Sequence, residues 1–114
     1  MKIGCLVNST ALLKPEEKGS STEIAVLKYF DKMGVSCEEY RSTYEVKHKF
    51  PFSSSRKRMS VVVNFNQEAH LFIKGASEIV LASCNSWFNS ESGEVESISP
   101  DLQKQINKVI NKMA

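Results

Sequence analysis

The segment PFSSSRKRMSVVV, Pro51 to Val63, combines residue types that could bind an anion or a flat ligand. It places an aromatic residue, three serines and three consecutive cations directly before an apolar, β-branched run. Such a cluster could hold a nucleic acid, attract a protein kinase, or bind a smaller ligand. The composition and the remaining motifs of the chain favour one of these three chemistries.

Composition and charge limit the choice. The chain has 114 residues, with 15 Lys and Arg against 13 Asp and Glu and a net charge of +2. This length is enough for one hydrophobic core, so we expect a single domain over residues 1–114. Non-specific DNA binders rely on a large excess of positive charge. The balanced charge therefore argues against a nucleic-acid partner, and any basic site must be local.

Cysteine usage and the first apolar segment point to a reduced, soluble domain. Cys5, Cys37 and Cys84 are widely spaced and show no metal-binding pattern, so we predict reduced and mostly buried thiols and no metal site. The apolar segment Ile3 to Val7 is too short for a signal peptide or a membrane span.

Turn and capping residues, together with the periodicity of the apolar residues, predict an α+β fold. Ser20 to Glu23, "SSTE", is a capping-box pattern that should begin a helix ending at Gly34. The other predicted elements are strands at Glu45–Phe52, Met59–Phe65 and Leu71–Lys74, a helix over 76–84, a loop or small hairpin over 85–97 and a helix capped by Ser99. This order implies a twisted antiparallel sheet with flanking helices.

The first predicted strand alternates in polarity. The pattern predicts Val46, His48, Phe50 and Phe52 on one face. Lys47 and Lys49 should then point to the opposite face.

Three motifs occur in order along the chain: GSSTEIAVL (Gly19–Leu27), FSSSRKRMSVV (Phe52–Val62) and KGASEIVL (Lys74–Leu81). They resemble the G-x-x-T-E-x-A-L, R-K-x-M-S and K-G-A-x-E motifs of the nucleotide-binding (N) domain of P-type cation-transporting ATPases. The last two motifs are most similar in sequence to those of type II pumps of the calcium-transporting kind. The fold that the resemblance implies is that of a P-type ATPase N domain.

The resemblance also implies an ATP site and its residues. Phe52 would stack on adenine, Glu23 would accept a hydrogen bond from the exocyclic amine, and Lys74 would line the base pocket. Gly75 would let the backbone approach the ligand, and Lys57 would lie near the nucleotide. These residue types suit a purine, which presents two apolar faces and a polar edge.

Each of these residues also has a purely structural interpretation. Phe52 could be the last core residue of its strand, and Lys74 an exposed strand-end lysine. Glu23 could be a capping-box partner. The run Arg56 to Arg58 could be a solvated charge run.

Other residues of the motifs are second-rank candidates for nucleotide contact. Ser54 stands where many family members carry an arginine on the phosphate side, and Ala76 belongs to the K-G-A motif. Arg56 is a further candidate, although we favour a role as a structural ion-pair partner. Arg58 is expected to be exposed.

Further family motifs are missing from the sequence. The D-K-T-G-T acceptor, the metal-binding carboxylates, the T-G-E loop and the membrane helices do not occur, so we predict no catalytic residue. The G-L-R-x-L strand that should follow the last helix is also missing, so the chain is expected to be an excised fragment without the final strand.

The chain is expected to bind ATP, as Mg-ATP in the whole pump, without hydrolysing it. By resemblance, its partners would be the phosphorylation and actuator domains of a calcium-transporting pump. It would be a cytoplasmic domain of an integral membrane protein, with no direct contact with the membrane.

Two other functions stay open at this stage. The chain could be a basic module that binds nucleic acid or another polyanion through Arg56, Lys57 and Arg58. Ser60 could also be a kinase substrate, but its place between Met59 and Val61 at a strand start argues against access.

Overall fold

The computed structural model describes residues 2–114 as five helices and five strands, which confirms the α+β prediction. The elements are α1 (Lys2–Val7), α2 (Ser21–Lys32), α3 (Cys37–Thr43), β1 (Val46–Ser53), β2 (Arg58–Phe65), β3 (Glu68–Gly75), α4 (Ser77–Ala82), β4 (Ser86–Asn89), β5 (Glu94–Ser97) and α5 (Pro100–Met113). β1, β2 and β3 form one antiparallel sheet in that order, and β4 pairs with β5.

Local capping signals fix α2 and α5 where the sequence predicts them. The Ser20 hydroxyl accepts the Glu23 backbone N–H at 3.3 Å, and the Ser99 hydroxyl accepts that of Leu102 at 3.1 Å. These bonds satisfy N–H groups that have no partner inside the helix. Of the loop or small hairpin predicted over 85–97, the structure contains the hairpin, with Gly93 at φ 73° in its turn.

Two helices, α1 and α3, escape the sequence prediction. They have 6 and 7 residues, about two turns or less, which is too short for a helical period to stand out. α1 nevertheless buries Leu6 and Val7. The short apolar segment of the sequence is therefore a core helix.

The pairing of β1 with β2 overturns the predicted faces of β1. The partners are Val46 with Val63, His48 with Val62, Lys49 with Val61 and Phe50 with Ser60. Because directly paired residues share a face, Val46 and His48 lie on opposite faces. The register shift between them leaves Lys47 as an extra residue, and such a bulge reverses the alternation that follows. Lys49 therefore lies on the core face.

Two groups of buried residues form the core. One joins α1 to the helices through Leu6, Ala11, Leu27 and Phe30. The other joins α1 to the sheet through Val7, Met59, Val61 and Val63. The sheet thus contributes the alternate residues Met59, Val61 and Val63 of β2 to the core.

The cysteines are free thiols, but the prediction that they are mostly buried is wrong. Cys5 and Cys37 are half-buried and Cys84 is exposed. Burial raises the pKa of the Cys37 thiol, an effect that the nearby Arg41 charge partly opposes. Within residues 2–114, no helix is both long and apolar enough to span a bilayer.

Candidate functional site

An open groove of about 680 Å³ lies where the end of β1, the start of β2, the end of β3 and the start of α2 meet. Met59, on the core face of β2, forms part of its lining. We call it the Phe52 groove. Its other lining residues are Thr10, Ser20, Thr22, Glu23, Lys49, Pro51, Phe52, Lys74 and Gly75.

Phe52 is not a core residue, because the residue is 61% exposed. Phe50 pairs with Ser60 and Ser53 with Arg58, so Pro51 and Phe52 together stand opposite Met59. This second bulge in β1 changes the direction of the strand end. It leaves the aromatic ring free to act as a platform beside the groove.

Glu23 and Lys74 form an ion pair and hydrogen bond between α2 and β3, at one side of the groove. Their side chains are 20% and 35% exposed, respectively. Burial alone would raise the pKa of the Glu23 carboxyl. The hydrogen bond and charge of Lys74, helped by the Ser9 and Ser20 hydroxyls, outweigh burial and hold the pKa below its usual range.

The two structural interpretations of Glu23 and Lys74 are only partly correct. Ser20 caps α2 as predicted, and its hydroxyl also lies 3.4 Å from Glu23 Oε2. Glu23 Oε1 binds the Lys74 ammonium group. Lys74 is therefore a paired residue and not a free strand-end lysine. Each carboxylate oxygen has two lone pairs, so Glu23 keeps the capacity to accept a further donor.

Gly75 lines the groove. A glycine is required there even without a ligand, because the neighbouring backbone leaves no room for a side chain. A Cβ at this position would lie 2.4 Å from the Lys57 carbonyl oxygen and 2.8 Å from the Arg58 Cα. The next residue, Ala76, donates its N–H to the same Lys57 oxygen at 2.9 Å. Ala76 is half-buried at the N-cap of α4.

The basic turn lies beside the groove. This turn comprises residues 54–57. Among the described residues, the groove lining does not include four of the candidates: Ser54, Arg56, Lys57 and Ala76. Lys57 is exposed at φ 49°, in the left-handed region.

Arg56 acts within the turn itself. Its Nε donates to Ser53 Oγ at 3.1 Å and its Nη2 donates to the Pro51 carbonyl oxygen. The predicted ion pair of Arg56 is therefore replaced by hydrogen bonds that close the turn. Arg58 is half-buried and not exposed as predicted, because it pairs with Gly75 inside the sheet.

Lys49 is a lining residue that the sequence interpretation missed. Strict alternation assigned it to the face away from the core. Only the pairing register reveals the bulge at Lys47 that brings it to the groove, and nothing in the alternation signals that bulge.

Three other hollows lie nearby. One of about 70 Å³ beside Arg41 is too small for a nucleotide-sized ligand. Another of about 370 Å³ shares Thr22, Glu23 and Lys74 with the Phe52 groove, so the Glu23–Lys74 pair separates the two. The one beside Glu45 and Val46, of about 370 Å³, shares Lys49 with the Phe52 groove.

The geometry suits a purine nucleotide. The volume of the Phe52 groove is within the range of small-ligand sites, about 300–1,000 Å³. An exposed aromatic ring, a carboxylate and two lysines line it. In residues 2–114, no cluster of three or more His, Cys, Asp or Glu could hold a metal ion.

Comparison with known proteins agrees with this geometry. The family described as "P-type ATPase, cytoplasmic domain N" matches residues 1–114. The chain is 41% identical over 113 residues to calcium-transporting ATPase PAT1 of Dictyostelium discoideum, covering 91% of the chain and 10% of that protein. It is 43% identical over 100 residues to plasma membrane-type calcium-transporting ATPase 8 of Arabidopsis thaliana, covering 87% and 9%.

A bacterial relative is more distant. Calcium-transporting ATPase 1 of Lactococcus lactis is 32% identical over 87 residues, covering 76% of the chain and 10% of that protein. The chain thus spans about a tenth of the length of the curated relatives it matches.

Proposed function

The chain belongs to the family of cytoplasmic N domains of P-type ATPases, and from this premise we propose that it binds ATP with the adenine ring in the Phe52 groove. The observation that carries the proposal is the exposed Phe52 ring, which shares one groove with the Glu23–Lys74 pair. The ring would stack on one face of the purine, while the pair would meet its polar edge.

Glu23 and Lys74 have complementary roles in this proposal. The carboxylate accepts a hydrogen bond from the exocyclic amine of adenine, and the lysine holds that carboxylate ionised and in place. The lowered pKa of Glu23 supports this division, because an ionised carboxylate is purely an acceptor.

Lys57 remains a candidate for the phosphate side. It is exposed in the β1–β2 turn beside the groove, where a flexible cation could reach phosphates that extend beyond the lining. Ser54 and Arg56 lie in the same turn, but Arg56 already uses two donors within the protein.

We further propose the context in which this binding is used. The parent protein would transport calcium, which the names of the relatives support. The domain would present the γ-phosphate of Mg-ATP to a phosphorylation domain, and an actuator domain would complete the cytoplasmic part of a membrane pump. Neither hydrolysis nor membrane contact is assigned to residues 1–114.

ATP binding should be weak. One stacked base and a few solvent-screened contacts must offset the ordering cost of binding. We expect a Kd on the order of 1 mM, about −4 kcal/mol. Weak binding suits a domain that must release its nucleotide in every cycle.

An ATP titration followed by amide chemical shifts tests the proposal. Shifts should map to the Phe52 groove and saturate in the millimolar range. Phe52→Ala should weaken ATP binding about 5- to 150-fold, because stacking of a base on an aromatic ring contributes about 1–3 kcal/mol. Phe88→Ala is the matched control, because Phe88 is 64% exposed on β4 and does not line the groove.

Glu23→Gln and Lys74→Gln extend the test to the other wall of the groove. Both should weaken binding of adenosine as well as ATP, since they act on the base. The proposal is wrong if ATP at several millimolar leaves the groove amides unmoved, or if Phe52→Ala and Phe88→Ala behave alike.

A single-stranded oligonucleotide separates this function from a polyanion site at Arg56, Lys57 and Arg58. We expect weak binding that is abolished by modest salt and does not compete with adenosine. Tight oligonucleotide binding at physiological salt would instead support the basic turn as a nucleic-acid site.

A further inference from the structure

We propose that Lys49 is a phosphate-binding residue of the Phe52 groove and gives it a preference for nucleotides over nucleosides. The inference rests on the proposed function, because it concerns the same ligand. It assigns a role to a side chain that the sequence motifs do not include.

The position of Lys49 is the first argument. The bulge at Lys47 places Lys49 on the core face of β1, directly opposite Val61. From there it lines the Phe52 groove together with Phe52 and Lys74. A regular strand would have turned this cation away from the groove.

The charge of Lys49 is the second argument. Lys74, the other lysine of the lining, is neutralised by its ion pair with Glu23. Lys49 makes no salt bridge and no side-chain hydrogen bond with any other residue of 2–114. It is therefore the uncompensated cation of the lining, available to an incoming anion.

The arrangement of the strands indicates which part of the ligand Lys49 meets. Glu23 and Lys74 lie at the α2 and β3 side, where the amine edge of adenine is proposed to bind. β1 is two strands away from β3, about 10 Å at the usual strand spacing.

The ribose and phosphates leave a purine on the side away from its exocyclic amine. They are thereby directed toward the β1 side of the groove. A lysine there can follow a flexible phosphate chain, because its ammonium group binds phosphate as a mobile point charge.

Lys49→Gln tests the inference, and Lys47→Gln is its matched control. Lys47 is on the same strand and carries the same charge, but it is engaged by Glu45 at 2.7 Å and does not line the groove. Binding of ATP and of adenosine to each variant is measured by amide chemical shifts at constant ionic strength.

We expect Lys49→Gln to weaken ATP about 3- to 10-fold, as for one charge-assisted contact at an accessible site. Its adenosine affinity should equal that of the parent. Lys47→Gln should bind both ligands as the parent does. Lys49→Arg should retain ATP affinity within about 2-fold, and Lys49→Glu should lose more than Lys49→Gln.

Three results would overturn the inference. Unchanged ATP affinity in Lys49→Gln and Lys49→Glu would show that the cation is not used. Equal losses of ATP and adenosine would show that the residue acts on the base or on the shape of the groove. The third result is that the parent chain binds neither ATP nor adenosine. In that case the proposed function fails, and the inference about Lys49 fails with it.

Discussion

Glu23 connects two parts of the molecule through its two carboxylate oxygens. One oxygen binds Lys74 on β3, and the other lies within reach of the Ser20 hydroxyl that caps α2. The pair thus fixes the start of α2 against the end of β3, and the Phe52 groove lies between them. A residue that organises the apo groove is also the one proposed to recognise the base.

The ionisation of Glu23 should depend on Lys74. Its pKa in the folded protein is lowered against burial by the Lys74 hydrogen bond and charge. A lowered folded-state pKa stabilises the fold above the unfolded value of about 4.3, and this stabilisation is lost as the pH falls through the folded value. Lys74→Gln removes the positive charge that opposes the effect of burial. The substitution should therefore raise the pKa of Glu23.

Carboxyl carbon chemical shifts, titrated with pH, measure this effect directly. Lys108→Gln on α5 provides a control for the loss of one charge. If the pKa of Glu23 is the same in the parent and in Lys74→Gln, the ion pair does not exist in solution.

At the scale of elements, the sequence predicts what local signals determine. Ser20 and Ser99 mark helix starts, Gly93 marks a hairpin turn, and β2 is read from its β-branched run. The short helices α1 and α3 show no clear period. The Ser36 hydroxyl does cap α3 by accepting the Glu39 N–H at 3.2 Å, but no apolar stripe follows it to mark a helix.

The same distinction applies to the candidate site. The motifs name Glu23, Phe52 and Lys74, and the structure brings these three to one groove. Lys49 could not be named, because its face depends on how β1 registers against β2. Register is a property of two paired strands. The polarity pattern of β1 alone therefore does not reveal a bulge in that strand.

The contact between β3 and the β1–β2 turn leads to a prediction for Gly75→Ala. The new methyl group would meet the Lys57 carbonyl and the Arg58 backbone at 2.4–2.8 Å, atoms that cannot move without distorting the turn. We expect the free energy of unfolding to fall by about 2–3 kcal/mol, the cost of overpacking a tight contact. Urea denaturation measures this loss.

Gly34→Ala is the comparison for Gly75→Ala. A Cβ at Gly34 meets no atom within 4 Å, but its φ of 74° makes alanine unfavourable, so we expect a loss of about 1 kcal/mol. Only Gly75→Ala should shift the amides of Lys57 and Arg58. Equal destabilisation with unmoved turn amides would contradict the close contact.

At the scale of the whole molecule, α1 joins the helical part to the sheet. Leu6 belongs to the buried group shared with α2, whereas Val7 belongs to the group shared with β2.

Hydrogen bonds at the end of α1 add to this packing. Asn8 Nδ2 donates to the Phe72 carbonyl oxygen of β3 at 3.1 Å. Arg41 of α3 donates to the carbonyl oxygens of Leu6 and Ser9, at 3.0 and 3.1 Å. The walls of the groove are therefore held together by a helix that the motifs do not include.

Burial is distributed unevenly along the chain. Among residues 2–114, the buried residues lie between Leu6 and Val63, and none of residues 64–114 is buried. α5 presents Leu102, Ile106 and Ile110 as half-buried residues only. Since local opening is easiest where few apolar groups are buried, β4, β5 and α5 should open more readily than β2 and α2.

Native-state hydrogen exchange tests this order of stability. After correction for intrinsic rates, the amides of Val61 and Val63, in the central strand β2, should exchange about 10- to 100-fold more slowly than those of Lys108 and Val109 on α5. The hairpin amides of β4 and β5 should resemble α5. The groove would then be built on the slowest-opening part of the chain, as pre-organised binding requires. Uniform protection from β2 to α5 would mean that the whole chain opens as one unit and would contradict this division.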